Sequence, residues 1–184
     1  MSLKGKKIIV GITGGIAAYK STLLIRLLIK GGAEVRAIMT EAAAKFTTPL
    51  TIETVSQNPV ALNMFPAHFA STRHIDLAEW PDLFLIAPAT ANFIGKVASG
   101  VCDDLLTTVI CATTVQVMVA PAMNSNMYLN PVTQRNIEYL NSLGYNFVSP
   151  GQGELACKTE GWGRMAEPEA IFEHIKKYFS KKKS

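Results

Sequence analysis

Lys6-Lys7-Ile8-Ile9-Val10-Gly11-Ile12-Thr13-Gly14-Gly15-Ile16-Ala17-Ala18 decides the fold. Residues 6–13 are apolar on both faces, as a central parallel strand requires. Gly14-Gly15 breaks the strand, and residues 16–30 then carry a helical period. Ala17, Leu24, Leu27 and Leu28 fall on one face, with Lys20 and Arg26 elsewhere. Gly31-Gly32 ends the helix, and residues 34–39 read as a second strand. The unit is strand, glycine turn, helix, strand, which folds as a right-handed βαβ crossover.

The same alternation continues outward. Thr40 is placed to cap a short helix over 41–46, and residues 49–72 read as irregular. Strands are expected at 83–87, 115–120 and 145–148, and helices at 90–99, 103–112, 131–144 and 168–178, with Pro131 at a favoured first position. This pattern implies an α/β chain, a single-domain doubly wound (Rossmann-like) parallel sheet spanning residues 1–184. Residues 151–167 form the one long stretch without a clear element, the sign of a functional or mobile loop. The basic end, 180–184, reads as a disordered solvated tail.

Composition narrows the function classes. Hydrophobic residues make up 48 % and charged residues only 17 %, enough for a sizeable core and low for a fully exposed surface. That low charge suggests coverage by further subunits. The net charge of +4 owes three lysines to the tail Lys181-Lys182-Lys183, and no basic stripe interleaved with aromatics occurs, so nucleic acid is not an expected partner. No apolar run is long enough to span a membrane. Three cysteines without a Cys-x-x-Cys argue against a disulfide framework or a metal site and for reduced thiols in a cytoplasmic protein. Cys102 and Cys111 read as buried small apolar residues.

Five segments carry candidate chemistry. The first is the Gly14-Gly15 turn. It opens a helix where backbone N–H groups favour an anion, although its spacing matches neither a dinucleotide fingerprint nor a P-loop. A single phosphate or an ordinary tight turn both fit. The second is Ala87-Pro88-Ala89-Thr90-Ala91-Asn92, which leaves room for a flat ring beside hydrogen-bonding groups, or else makes Thr90 a plain helix cap.

The third segment is Val117 to Tyr128, a buried strand that turns abruptly into Pro121-Ala122-Met123-Asn124-Ser125-Asn126-Met127-Tyr128. Ligands of open α/β sheets bind at such carboxyl ends. In the fourth, Cys157 sits in a Gly-rich loop near Lys158 and Arg164, as a reactive thiol or an inert surface residue. His74, in Arg73-His74-Ile75-Asp76-Leu77, is a base or a structural histidine. His68 and His174 carry no such signal.

Taken in order, these segments resemble the homo-oligomeric flavin-containing cysteine decarboxylase family, on its phosphopantothenoylcysteine decarboxylase branch. The resemblance rests on Gly14-Gly15-Ile16-Ala17-Ala18-Tyr19-Lys20, His74-Ile75-Asp76-Leu77, Pro121 to Tyr128, and Ala156-Cys157 through Gly161-Trp162-Gly163-Arg164-Met165. Gly95-Lys96-Val97-Ala98-Ser99-Gly100 also looks like the family, and the likeness covers nearly the whole chain. Tyr128 stands where the family usually has Trp, and Lys158 where many members have Gly.

The resemblance implies a flavoprotein-type fold, an FMN cofactor and no metal. It implies oxidation of a cysteine moiety to a thioaldehyde, loss of CO2 to an enethiolate, and reduction to the thiol, converting 4′-phosphopantothenoylcysteine to 4′-phosphopantetheine in coenzyme A biosynthesis. His74 would be the base, Asn124 the carboxylate holder, and Cys157 the acid. Gly14, Gly15, Ile16 and Thr40 would bind the FMN phosphate, with Phe46, Pro88, Thr90, Ala91 and Ala122 along the flavin. Asn124, Met127 and Ala156 would meet substrate, and residues 151–167 would be a flexible clamp.

Relatives form trimers, or dodecamers built of trimers, with sites between subunits. A bifunctional bacterial relative continues into a ligase domain, so this chain resembles a stand-alone decarboxylase. The alternatives are a peptidyl cysteine decarboxylase, a flavin prenyltransferase, against which the Asn124 motif argues, and a non-catalytic flavin-fold regulator. His74, Asn124 and Cys157 together argue against the last.

Overall fold

A computed structural model describes residues 2–65, 73–154 and 160–181. Five strands form one parallel sheet: β1 (Lys7–Ile12), β2 (Glu34–Met39), β3 (Leu83–Ala89), β4 (Val117–Pro121) and β5 (Asn146–Phe147), in spatial order β2-β1-β3-β4-β5. The order reverses between β1 and β3, and at that switch point the two outgoing loops diverge and leave a crevice.

β1, β3 and β4 are buried along nearly their whole length, which is why their sequences are continuous apolar runs rather than alternating ones. Two apolar cores result. On one face α1 (Lys20–Lys30) and α8 (Pro168–Lys181) pack through Leu24, Ile25, Leu28, Ile171 and Ile175. On the other, α3 (Arg73–Glu79), α4 (Ala91–Ala98), α5 (Leu105–Ala112) and α7 (Pro131–Ser142) cover Ile9, Phe84, Ile86 and Val119.

Several expectations are corrected. Within the stretch expected to be irregular lies α2 (Pro49–Ser56): Thr48 caps it by accepting the Thr51 N–H, Pro49 begins it, and buried Ile52 anchors it. The helix expected from Ile16 starts as a 3-10 turn over Ile16–Tyr19 and becomes α-helical at Lys20. Lys20 lies on the inner side, and Leu27 is only half-buried, because Ser21 and Ile25 take the inward positions.

A short helix, α6 (Ser125–Leu129), follows β4, and the expected short helix after Thr40 is a 3-10 turn over Ala43–Lys45. Residues expected to lack structure form an antiparallel hairpin, β6 (Gly151–Glu154) and β7 (Glu160–Arg164). α8 runs on through Lys181. Cys102 and Cys111 are exposed: Cys102 lies in the loop before α5, and on α5 Leu105, Leu106, Val109 and Ile110 take the inward face.

Candidate functional site

Thr13 organises the crevice. Its hydroxyl donates to the Pro88 carbonyl at 2.7 Å and accepts the Thr90 N–H at 3.0 Å, and its own N–H donates to Pro88 O at 3.3 Å. Ser21 Oγ donates to Ala87 O at 2.7 Å, both groups buried. These bonds hold the Gly14-Gly15 turn after β1 against the Thr90 corner after β3. Thr90 also caps α4 through Phe93 N–H at 3.3 Å, so its capping and site roles coexist.

The third wall follows β4. The Ala122 N–H donates to Ala89 O at 2.9 Å. Asn124 then caps α6, its Oδ1 accepting the Asn126 N–H at 2.9 Å. The hairpin forms the fourth wall: the Met123 N–H donates to Gly163 O at 2.9 Å. A Cβ on Gly163 would strike the Met123 carbonyl, and one on Gly161 would strike Ser125 Oγ, so β7 lies against α6 where only glycine fits. Ser125 Oγ, buried in that contact, has no hydrogen-bond partner among the described residues.

The cavity so enclosed has a volume of about 600 Å³, within the range of roughly 300–1,000 Å³ typical of small-molecule and cofactor sites. Gly14, Gly15, Ile16, Thr90, Ala91 and Ala122 line it, as expected, together with Asn124 and Met127. Thr40, Phe46 and Pro88 are not on its wall. Thr40 caps the turn after β2 through Ala43 N–H, Phe46 is exposed, and Pro88 turns its carbonyl to Thr13. His74 lies on α3, which packs against α5 and away from the cavity of its own chain. Cys157 and Ala156 lie outside the described residues, as does His68.

Two cations on the wall, Lys20 and Arg164, were not assigned to the site from sequence. Lys20, only 6 % exposed, donates to both Glu167 carboxylate oxygens at 2.9 and 3.0 Å, and Arg164 Nη2 donates to Glu167 Oε1 at 2.8 Å. A lysine one turn into a helix that opens on Gly-Gly is the signal that was available; its counter-ion, 147 residues away, was not. The Lys20 hydrogen bond, aided by the positive charges of Lys20 and Arg164, holds the Glu167 carboxyl below its ordinary value despite the opposing effect of burial.

A carboxylate lowered in the folded state stabilises the fold above the ordinary glutamate range, and that contribution fades as pH falls through the lowered value. Glu167→Gln should therefore flatten the acid side of a Tm-against-pH curve. Because Glu167 is half exposed, the loss at neutral pH should be only about 1 kcal/mol. An unchanged acid limb would show the triad to be inert.

The apolar walls, the N–H groups of the Gly14-Gly15 turn and two nearby cations suit a flat ring carrying a phosphate. Glycine is needed at Gly14, where a Cβ would strike Ala42, whereas a Cβ on Gly15 would make only an ordinary contact with Thr90.

Known proteins are similar to this chain in sequence and fold. A flavoprotein family model matches residues 1–180. The coenzyme A biosynthesis bifunctional protein CoaBC of Haemophilus influenzae is 48 % identical over 183 residues, 99 % of this chain and 46 % of that protein. Its Bacillus subtilis counterpart is 44 % identical over 183 residues, 99 % and 45 % respectively. The chain thus spans about half the length of the curated relatives it matches.

Among solved structures, a cysteine-to-serine mutant of PPC decarboxylase complexed with pantothenoylaminoethenethiol superposes with a TM-score of 0.85 at 33 % identity, covering 95 % of this chain and 98 % of that one. The FMN binding protein AtHal3 gives 0.83 at 33 % identity, covering 97 % and 98 %. With a family match over nearly its whole length and a cavity built from the same segments that carry the likeness, the chain belongs to the flavoprotein family.

Proposed function

We propose that this chain catalyses the FMN-dependent decarboxylation of 4′-phosphopantothenoylcysteine to 4′-phosphopantetheine. The observation that carries the reading is the one cavity joining the Gly14-Gly15 turn, the Asn124 motif and the end of β7 at Gly163 and Arg164. The names of the relatives support it. FMN supplies a reversible two-electron oxidation of the cysteine moiety, without which loss of CO2 would leave a carbanion with no electron sink.

The residues divide the remaining work. The turn at Gly14 and Gly15 holds the phosphate, with Lys20 and Arg164 adding positive charge. Asn124 donates from its amide to the substrate carboxylate, in a position fixed by its capping bond to Asn126. Met127 packs beside the substrate with Ala156, and Cys157 delivers the proton that completes the saturated thiol.

His74 is the base and comes from a second subunit. Its place on α3, away from its own cavity, supports this, and exposed Ile16, Tyr19 and Leu23, at the cavity rim and along α1, offer an apolar face for assembly. The assembly is a homotrimer or a dodecamer of trimers. A cytoplasmic location belongs to the same reading.

The test is CO2 release from 4′-phosphopantothenoylcysteine by yellow, FMN-loaded protein, beside a peptide ending in cysteine. Turnover of the peptide alone would replace this substrate with a peptidyl one. Cys157→Ser should still release CO2 but accumulate the unsaturated enethiol; normal thiol formation would remove Cys157 from the reaction. His74→Asn should abolish turnover with FMN retained. Mixed with the Cys157 variant, it should regain thiol formation as subunits exchange. Full activity of His74→Asn alone would overturn the assigned base.

A further inference from the structure

Two thiols that belong to neither the cavity nor the core lie together on the outside of α5. Cys102 sits in the loop between α4 and α5. Its carbonyl accepts from Thr108 Oγ1 at 3.3 Å, and its Sγ donates to Gly100 O at 3.6 Å. Thr108 and Cys111 are three residues apart on α5, and such residues share a helix face. The bond to Thr108 therefore pins Cys102 over the turn that carries Cys111. Both cysteines are exposed.

The electrostatics agree with this placement. Burial and then the neighbouring Cys111 thiol push the Cys102 thiol up. Both sulfurs also add to the rise of the Tyr145 phenol, which burial dominates. The loop can adjust: Gly100 is left-handed, with φ of +69°, and no atom lies near the place where its Cβ would be. Nothing in the packing calls for a thiol at either position, where serine or alanine would leave the core intact.

We propose that Cys102 and Cys111 form a reversible dithiol–disulfide site, oxidised by small-molecule disulfides. The Cys111 thiolate attacks one sulfur of the disulfide, forming a mixed disulfide and expelling one thiolate. Cys102, deprotonated, then attacks the Cys111 sulfur, forms the Cys102–Cys111 bond and expels the second thiolate. Two protein thiols together lose two protons and two electrons, and the small disulfide is reduced to two thiols. The bond ties the α4–α5 loop to the outer face of α5. The reaction is independent of the decarboxylase reading.

The test is incubation of the full-length purified protein with oxidised glutathione, followed by alkylation of the remaining thiols and peptide mapping. The expected result is a Cys102–Cys111 cross-link within one chain, with both thiols recovered on treatment with dithiothreitol. Cys102→Ser and Cys111→Ser should each lose the cross-link and leave a glutathione adduct on the remaining partner. Both substitutions are at exposed positions, so folding should be preserved. Adducts on single cysteines in the unmutated protein, links to Cys157 or between chains, or no oxidation of either thiol would each overturn the proposal.

Discussion

If the proposed function holds, Gly163→Val should lower turnover by about a hundredfold or more, the effect of displacing a reacting group by about 1 Å. Gly163 has φ of +114°, a conformation that L side chains rarely adopt, and a Cβ there would strike the Met123 carbonyl. Backbone strain of about 1–3 kcal/mol adds to overpacking of similar size.

The chain can relieve both only by lifting β7 off the Asn124 segment, which breaks the Met123 N–H to Gly163 O bond. On the proposed function, with Cys157, three residues before β7 in the sequence, as proton donor and Asn124 as carboxylate holder, lifting β7 would separate the two. The expected signature is a fall in kcat with FMN absorbance retained, and a Tm lowered by roughly 5–15 °C if about 2–4 kcal/mol is lost. Near-normal kcat would mean that the hairpin position does not govern the chemistry.

Gly14→Val should act on the other half of the site. Its Cβ would meet Ala42, including the backbone carbonyl carbon at 2.9 Å, and backbone yields far less readily than a side-chain tip. Relief requires moving the Gly14-Gly15 turn, which lines the cavity, away from the loop after β2.

Overpacking of about 1–3 kcal/mol, if expressed in binding, corresponds to roughly a 5- to 150-fold loss of FMN affinity. The variant should purify pale and take up added FMN weakly, as followed by flavin fluorescence quenching. Gly15→Ala should bind nearly normally, because the nearest atom to its Cβ would be Thr90 Cγ2 at 3.8 Å. Equal losses at both positions would point to a general intolerance of side chains in the turn rather than to the Ala42 contact.

The sequence by itself determined the elements whose burial leaves a continuous mark. β1, β3 and β4 are apolar on both faces, so their runs announced a parallel sheet and a βαβ chain. It also marked the glycine turn, Thr90 and the Asn124 segment as residues that a plain strand end does not need. It missed α2, because Pro49 and the threonines around it resemble a loop until Thr48 is seen capping the helix. It placed Cys102 and Cys111 inside, because thiols are most often core residues, until packing leaves Cys102 in the loop before α5 and turns Cys111 outward on the helix.

Only the tertiary structure decided what meets at the cavity. Lys20 and Glu167 are 147 residues apart, and no local pattern encodes a contact formed when α1 packs on α8 and β7 ends beside it. The same holds for Gly163 against Met123, where the need for glycine comes from a backbone brought in by a different element. His74 shows the complementary case. Its segment could be read in the sequence, but one chain folds it on α3, outside its own cavity. Local chemistry is written in short segments; the distances between them are set by packing.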